Sequence, residues 1–401
     1  DDMKIIGVTG TKGKTTTTYI VKSILENAGH KVGLVGTIEA IIGDKVIPAD
    51  NTTPESFTLQ RYFKEMKEAG CDTVVMEVSS QGLKLDRTAG IMFDIGVFTN
   101  LEPDHIGPDE HASFEEYLEC KAKLFKQCRT GIVNADDKHT KDILKNSICT
   151  TESYGVSEAA DIRAVDVKLL HEPGKIGLTY KCQGLINMDV ALSLPGMFSV
   201  YNSLCAIAVT RHFNVDKDIV ENVLKDVKVK GRIELVKVSD KFTLMIDYAH
   251  TPSSLESILQ TVKPYTKGKV ICTWGVGGDR DRAKRPIMGE ISGTLADFTV
   301  LTADQVRTEN PMQIMSDIEV GLKKSGGKYK IILNRTEALR YALHMMTKDD
   351  ILVIPGLGND LYIEYMGVKY PYNERIILAG LIDEMLDPEH KEIVKTQNDI
   401  F

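Results

Sequence analysis

Ile5-Ile6-Gly7-Val8 runs directly into Thr9-Gly10-Thr11-Lys12-Gly13-Lys14-Thr15-Thr16-Thr17-Thr18, and an amphipathic helical pattern begins at once. An apolar strand, a glycine-bearing turn and a helix start, in that order, make a cradle for phosphate. Gly10 and Gly13 let the backbone turn its amides toward an anion, and the helix that follows offers its positive N-terminus. Lys14 supplies a point charge and the Thr15 hydroxyl a ligand for magnesium. Together these residues predict an ATP-using protein. The common spacing Gly-x-x-x-x-Gly-Lys-Thr would need glycine at position 8, which is Val8. The loop is therefore the shorter Thr-Gly-Thr-x-Gly-Lys-Thr form.

Around that loop, short apolar runs alternate with helical patterns. Strands are expected at residues 4–8, 73–78, 95–100 and 131–134, each followed by a polar or glycine-rich turn and then a helix. This is the pattern of an α/β fold with a mostly parallel sheet, which carries ligand groups at the C-terminal ends of its strands. Residues 161–194 differ: short alternating strands, such as 176–180, suggest an antiparallel excursion. A helix over 200–213 then closes the first half. Past Gly231 and Arg232 the alternation restarts, with strands expected at 243–246, 269–273, 298–302, 329–333 and 351–355 and a helix near 253–262. The expected organisation is a P-loop ATPase domain over 1–232 and a smaller Rossmann-like domain over 233–401.

A length of 401 residues exceeds one ordinary core, and 42% apolar with 26% charged residues is the balance of a globular chain. The net charge of -8 argues against general nucleic-acid binding, so anionic ligands must be met by local groups. There is no stretch of about eighteen apolar residues, hence no expected membrane span, and the reading is of a cytoplasmic protein, monomeric or weakly oligomeric. Seven cysteines without a Cys-x-x-Cys pair point to reduced thiols rather than structural zinc.

Further candidates sit at strand ends. Glu77 closes an apolar run and is followed by Ser79-Ser80-Gln81, while His105 lies just past the strand ending at Asn100. In a parallel sheet both reach one rim, near Thr15, where a magnesium ion would need oxygen or imidazole ligands. Taken alone, His105 reads as a loop histidine, Asn51-Thr52-Thr53-Pro54 as the cap of the helix expected over 56–69, and Lys121 as a solvated lysine on a helix over 114–127. In the second half, Asp247-Tyr248-Ala249-His250-Thr251-Pro252 follows a strand and opens a helix. Gly277-Gly278-Asp279-Arg280-Asp281-Arg282, with Lys284, Arg285 and Pro286, follows the next. Clustered guanidinium groups there fit phosphate or carboxylate binding. Asp304 and Arg307, then Gly356, Gly358 and Asp360, place more polar groups on the same rim.

These motifs, in this order, resemble the Mur ligase superfamily, most closely its MurE (UDP-N-acetylmuramoyl-tripeptide synthetase) type. The likeness is carried by residues 9–16, Asn-Thr-Thr-Pro at 51–54, Glu-Val-Ser-Ser at 77–80, Thr-Asn-Leu with Asp-His over 99–105, Tyr117 and Lys121, Asn134 with Asp136-Asp137, and Asn202. It continues through Gly231-Arg232, residues 247–252, and Gly-Gly-Asp-Arg-Asp-Arg-x-Lys-Arg-Pro at 277–286. The last two motifs separate this type from folylpolyglutamate synthases. The resemblance implies an ATP-dependent amide ligase: a carboxylate acceptor attacks the γ-phosphate, and an amino acid displaces phosphate from the acyl phosphate. Magnesium and cations would neutralise the transferring phosphoryl.

By the same resemblance, Gly10, Thr11, Lys12, Gly13, Lys14, Thr15 and Thr16 hold the phosphates, with Thr15, Glu77, His105 and Lys121 serving two magnesium ions. Lys121 takes the position of a carbamylated lysine, and Lys14, Lys121, His105 and Glu77 are the catalytic candidates. Asn202, Arg232, Asp247 and His250 would contact the nucleotide, and Thr52, Thr53, Ser80 and Arg87 the acceptor. Asp304, Arg307, Gly356 and Asp360 would meet the amino acid.

The departures are specific. The family's Ser-Ser-His-Gly reads Ser79-Ser80-Gln81-Gly82, its diaminopimelate-selecting Asp-Asn-Pro-Arg reads Asp304-Gln305-Val306-Arg307, and its Gly-x-Gly-His-Glu reads Gly356-Leu357-Gly358-Asn359-Asp360. The phosphate loop begins at residue 9, which leaves no room before it for the family's UDP-holding domain: either the sequence is truncated or the acceptor does without that anchorage. The acceptor thus stays open between a muramyl peptide and another peptide or secondary metabolite. A MurT-like subunit acting on lipid-linked peptidoglycan is disfavoured because its cysteine cluster is not found, and an idle nucleotide-binding scaffold because the phosphate and metal set is intact.

Overall fold

The computed structural model describes residues 3–103, 106–107, 110–172, 175–230, 233–236, 242–358 and 360–386. They fall into two compact units, Asp1–Leu169 with Gly177–Val229, and Leu170–Ile176 with Lys230–Phe401.

The first stretch of chain carries β1 (Lys4–Thr9), α1 (Lys14–Asn27), β2 (Val32–Val35), β3 (Glu39–Ile42), β4 (Lys45–Pro48), α2 (Ser56–Glu68), β5 (Thr73–Glu77), α3 (Ser80–Lys84) and β6 (Phe93–Phe98). It goes on with α4 (Phe114–Ala122), β7 (Cys128–Asn134), α5 (Thr140–Leu144), β8 (Thr150–Gly155), β9 (Ile162–Glu172), β10 (Lys175–Gly184), β11 (Met188–Leu192), α6 (Met197–Arg211) and α7 (Lys217–Asp226). Their sheet runs β11-β10-β9-β8-β7-β6-β1-β5-β2-β3-β4. From β9 to β2 neighbouring strands are parallel, with Ile6 opposite Val75 on one side and Ile95 on the other.

Burial on both faces explains the near-continuous apolar strands. Ile6, Val8, Val75, Ile95 and Val97 pack with Ile20, Ile24 and Leu25 of α1 and with the apolar face of α6. Val74 and Met76 point the other way, to Leu59, Phe63 and Met66 of α2 and Tyr117 of α4. The chain moves outward from β1 in both directions, so the turn after β1 sits at the switch point where such sheets bind ligands.

The second unit contains β12 (Glu234–Val236), β13 (Thr243–Asp247), α8 (Pro252–Val262), β14 (Val270–Trp274), α9 (Lys284–Leu295), β15 (Phe298–Leu301), α10 (Pro311–Ser325), β16 (Tyr329–Ile331), α11 (Arg335–Met345), β17 (Ile351–Pro355), β18 (Tyr362–Tyr365), β19 (Val368–Pro371) and α12 (Glu374–Leu386). The main sheet is ordered β12-β13-β17-β14-β15-β16, parallel except for β12 at its edge. Residues of α8 and α10 pack on one face and residues of α11 and α12 on the other. This is the expected doubly wound arrangement.

The differences from expectation have local causes. Residues 161–194 form two long strands and one short one: β9 joins the sheet parallel to β8, β10 lies beside β9, and the five-residue β11 pairs antiparallel with β10. The helix expected over 114–127 stops at Ala122 and tightens into a 3₁₀ turn, Lys123–Lys126, which buries Leu124 and Phe125. Two hairpins, β3/β4 and β18/β19, were not foreseen, since β4 and β19 lie mostly exposed and give no apolar run. All seven cysteines are free thiols. Among the described residues, no helix is long and apolar enough to cross a membrane.

Candidate active site

The turn after β1 closes on itself through side chains from three other strands and helices. Gly10 has φ 147° and Gly13, the N-cap of α1, φ 85°. A Cβ at Gly10 would overlap the Thr99 hydroxyl, and one at Gly13 the Asn202 side-chain oxygen, so close approach as well as φ requires glycine. Asn100 grips the loop from the end of β6: its Oδ1 accepts from Lys12 N at 2.9 Å and its Nδ2 donates to Lys12 O at 3.0 Å. Thr11 N donates to Asn100 O at 2.9 Å, and Lys12 pairs with Glu102 at 2.6 Å. Thr16 lies half-buried on the first turn of α1.

The lysines converge on this loop. Lys14 Nζ donates to Gly10 O at 2.9 Å and Thr11 O at 3.0 Å, so its charge already lies where a phosphate would be cradled. Lys121 Nζ donates to the same Gly10 O at 2.8 Å and stands 4.4 Å from the centre of the Tyr117 ring. The reading of Lys121 as a solvated helix lysine is thereby corrected: it is 1% exposed. Tyr117, one turn earlier on α4, places its hydroxyl 3.0 Å from Thr11 Oγ1, which turns that face of α4 toward the loop.

Glu77, at the end of buried β5, accepts from the Thr15 hydroxyl at 3.0 Å. A hydroxyl and a carboxylate at the mouth of a phosphate loop suit magnesium, which takes few protein oxygens and leaves the rest to phosphate and water. Among the described residues no group of three or more His, Cys, Asp or Glu could hold a metal ion without such help. Asn202 of α6 accepts from the Thr17 hydroxyl at 3.4 Å and so lies beside the start of α1.

The Asn51–Pro54 stretch does not cap α2; that position belongs to Glu55, which makes no side-chain cap bond. Thr53 is instead fully buried, donating to Glu77 O at 3.0 Å and accepting from Ser79 N at 2.9 Å. Arg87 Nη1 donates to Thr53 O at 2.9 Å, and Arg87 also pairs with Glu55. Ser80 opens α3 after its cap, Ser79. Thr53 is thus tied to the residue that meets Thr15 and Arg87 to Thr53, with Thr52 next to Thr53 in the chain and Ser80 next to Ser79. His105 and Arg232 lie outside the described residues.

In the second unit, Asp247 ends β13 and its carboxylate accepts from Ile233 N and Ala249 N, both at 2.8 Å. His250 is exposed, its Nδ1 2.8 Å from Tyr248 O, and its carbonyl accepts from Lys284 at 3.1 Å. Burial, then repulsion from Arg280, holds the Lys284 ammonium below its ordinary range. The Gly356–Gly358 turn meets this segment: Gly356 N donates to Asp247 O at 3.0 Å, and a Cβ at Gly358 would sit 2.6 Å from Tyr248 Cδ2.

Beside it, the turn after β15 is knitted to the β18/β19 hairpin. Gln305 donates to Asp360 Oδ2 at 3.2 Å and Tyr362 O at 2.8 Å, and accepts from Glu364 N at 2.6 Å. Burial pushes the Asp360 carboxyl above its ordinary value, with Asp304 adding to the rise and Gln305 and Arg307 opposing it. Arg307 donates to Gly278 O at 2.7 Å. Asp304 faces the buried Arg335, 3.9 Å away, which bonds Glu374 at 2.7 Å.

The guanidinium cluster is only in part what its sequence suggested. Arg285 is wholly buried on α9, where it bonds Glu309 at 2.7 Å and Asp317 at 2.8 Å, so it braces the turn rather than meeting a ligand. Sequence reading also missed Thr37, which bonds both oxygens of Glu77, and the Arg335–Glu374 pair. A Gly-Thr directly after the apolar run of β2 was the available signal for the first; nothing local marked the second.

Comparison with known proteins shows the family. The Mur ligase middle domain family matches residues 8–210, and the Mur ligase, glutamate ligase domain family residues 231–358. A UDP-N-acetylmuramoyl-L-alanyl-D-glutamate--2,6-diaminopimelate ligase of Caldanaerobacter subterraneus is 43% identical over 95% of this chain and 78% of its own length. One from Clostridium acetobutylicum is 42% identical over 96% and 79%. A solved structure of a ligase of the same name superposes with a TM-score of 0.73 at 29% identity, over 96% of this chain and 80% of that one. Mycobacterium tuberculosis folylpolyglutamate synthase, at 17% identity and TM-score 0.67, shares the fold over 88% of each chain. Mur ligases depend on ATP and magnesium. With relatives this close across both units, the chain belongs to the Mur ligases, to their MurE type, and is an ATP-dependent ligase.

Proposed function

We propose that this chain joins an amino acid to the carboxylate of UDP-N-acetylmuramoyl-L-alanyl-D-glutamate through an acyl phosphate, in the cytoplasm, as a monomer or weak oligomer. The observation that carries the reading is the convergence of Lys14, Thr15, Glu77 and Lys121 on one loop, with Thr53 tied to the same Glu77 and Arg87 to Thr53. In this reading the nucleotide phosphates seat on the Gly10–Thr16 amides, and Lys14 exchanges its carbonyl partners for phosphate oxygens. Asn202, beside the start of α1, is the first unit's further residue for the nucleotide, and Arg232, Asp247 and His250 are the second unit's candidates for it.

Thr52, Thr53, Ser80 and Arg87 orient the acceptor so that a carboxylate oxygen attacks the γ-phosphorus and ADP leaves. The neutral amine of the amino acid then attacks the acyl carbon, and phosphate departs with that carboxylate oxygen. Magnesium, with Thr15, Glu77, His105 and Lys121 as its residues at two sites, would neutralise charge on the transferring phosphoryl. Lys121 serves as a carbamate formed from carbon dioxide and its neutral amine, whose remaining N–H can still donate to Gly10 O.

The amino acid lies on the second unit, with its carboxylate toward Arg307, an ammonium toward Asp360, and Asp304 and Gly356 beside them. The relatives' 2,6-diaminopimelate is the first amine to try, since it carries both groups. The test is phosphate release from ATP with that acceptor and a panel of amino acids, with the product weighed by mass spectrometry. Release that requires both partners and yields their amide supports the reading; release independent of both, under every pairing, overturns it.

A further inference from the structure

Thr37, in the turn between β2 and β3, is committed to the carboxylate of Glu77 at both oxygens. Its N–H donates to Oε1 at 2.9 Å and its hydroxyl to Oε2 at 2.9 Å. The same hydroxyl lies 3.1 Å from Thr52 Oγ1. A hydroxyl has one proton to give, and Thr37 gives it to Glu77, so Thr52 is the donor in that pair. The result is a chain from Thr52 through Thr37 to Glu77, whose Oε1 also takes the proton of Thr15.

The turn is built to bring Thr37 there. Gly36 N bonds Glu39 O at 3.1 Å, and Ala49 N bonds Ile38 O at 3.2 Å, closing the turn at both ends. Glu39 is buried and accepts from Tyr19 of α1 at 2.9 Å, which fixes the turn to the helix that carries Lys14 and Thr15. A Cβ at Gly36 would sit 2.6 Å from Glu77 Oε1, so the backbone approaches the carboxylate as closely as glycine allows.

We propose that Thr37 is a positioning residue that couples the metal carboxylate to the acceptor loop, aiming Glu77 at Thr15 while setting Thr52. The inference rests on the roles proposed above for Glu77 and Thr52. Partners one shell out from a metal typically change its affinity by about 10–100-fold when removed. Binding can therefore be read without turnover.

The experiment measures manganese binding in the presence of ADP by electron paramagnetic resonance, and acceptor binding by calorimetry, for wild type, Thr37→Val, Thr37→Ser, Thr52→Val and the Thr37→Val/Thr52→Val double variant. Thr37→Val is expected to weaken both ligands about tenfold or more and Thr37→Ser to retain them, with ADP affinity in the absence of metal and melting temperature unchanged. The double variant is expected to lose less acceptor affinity than the sum of the two single losses, since the two residues share one link. Wild-type binding of both ligands by Thr37→Val, or fully additive losses, would overturn the coupling. If wild type itself binds no acceptor, the proposed substrate fails and the question is put again with the acceptor that turnover identifies.

Discussion

Lys14 and Lys121 show how differently two lysines of one site are written in a sequence. Lys14 is legible because its neighbours are: two glycines, a threonine and a helix start leave few other uses for the pattern. Lys121 sits on a short helix whose periodicity does not single it out, yet it is buried against Tyr117 one turn away and bonded to Gly10, 111 residues distant. Lys14→Ala should lower the rate constant for phosphate release by about 10²–10³-fold, the scale for removing one preorganised group that stabilises the transition state. An unchanged rate would remove Lys14 from the chemistry. Lys121→Ala should be equally impaired but regain part of its rate with a small added carboxylate, which can stand where the carbamate would. No recovery across a concentration series counts against the carbamate role. The Gly36-Thr37 turn after β2 could be seen in the sequence, but not what Thr37 bonds, because its partners, Glu77 and Thr52, lie 40 and 15 residues away and only the fold brings them together.

Elements of the two sheets divide in the same way. Parallel strands buried on both faces were readable as apolar runs, whereas the edge hairpins β3/β4 and β18/β19 were not, because an exposed strand is held by its partner's backbone more than by its own side chains. The turn before α9 was read as a guanidinium cluster for ligands, but Arg285 serves Glu309 and Asp317 and fixes α9 against the start of α10. The Arg285 bonds, with a further backbone bond from Asp279 N, hold the Glu309 carboxyl down from 4.5 to about 2 despite desolvation. A depressed carboxyl adds stability above its unfolded value and loses it as pH falls toward its folded one. Glu309→Gln should therefore lower the melting temperature at neutral pH, and the gap from wild type should close as pH falls from 4.5 toward about 2. A gap that stays constant across that range would dissociate Glu309 from the effect. At the start of α1, Gly13→Ala should cost about 1–3 kcal/mol through its left-handed φ, and more through overlap with Asn202, measured by denaturant unfolding. Wild-type stability would mean that the loop can relax around a side chain.

At the scale of the molecule, the order of motifs told more than any one of them. The type of ligase could be read because the phosphate loop, the Glu77–Ser80 turn and the turns after β13, β14, β15 and β17 each sit at the C-terminal end of a parallel strand, where such sheets expose their loops, whereas Asn51–Pro54 follows the antiparallel edge strand β4. The turns proposed for the amino acid could not be read in full, since Gln305 owes its place to Asp360, Tyr362 and Glu364, and Asp304 to an arginine 31 residues on. In the proposed function ATP turns a carboxylate oxygen into a leaving group. The most direct test is to supply the acceptor with heavy oxygen in its carboxylate and weigh the phosphate released on amide formation. Transfer of one labelled oxygen to each phosphate is the predicted result; unlabelled phosphate, with the amide still formed, would contradict the acyl phosphate and the role assigned to the loop at Gly10–Thr16.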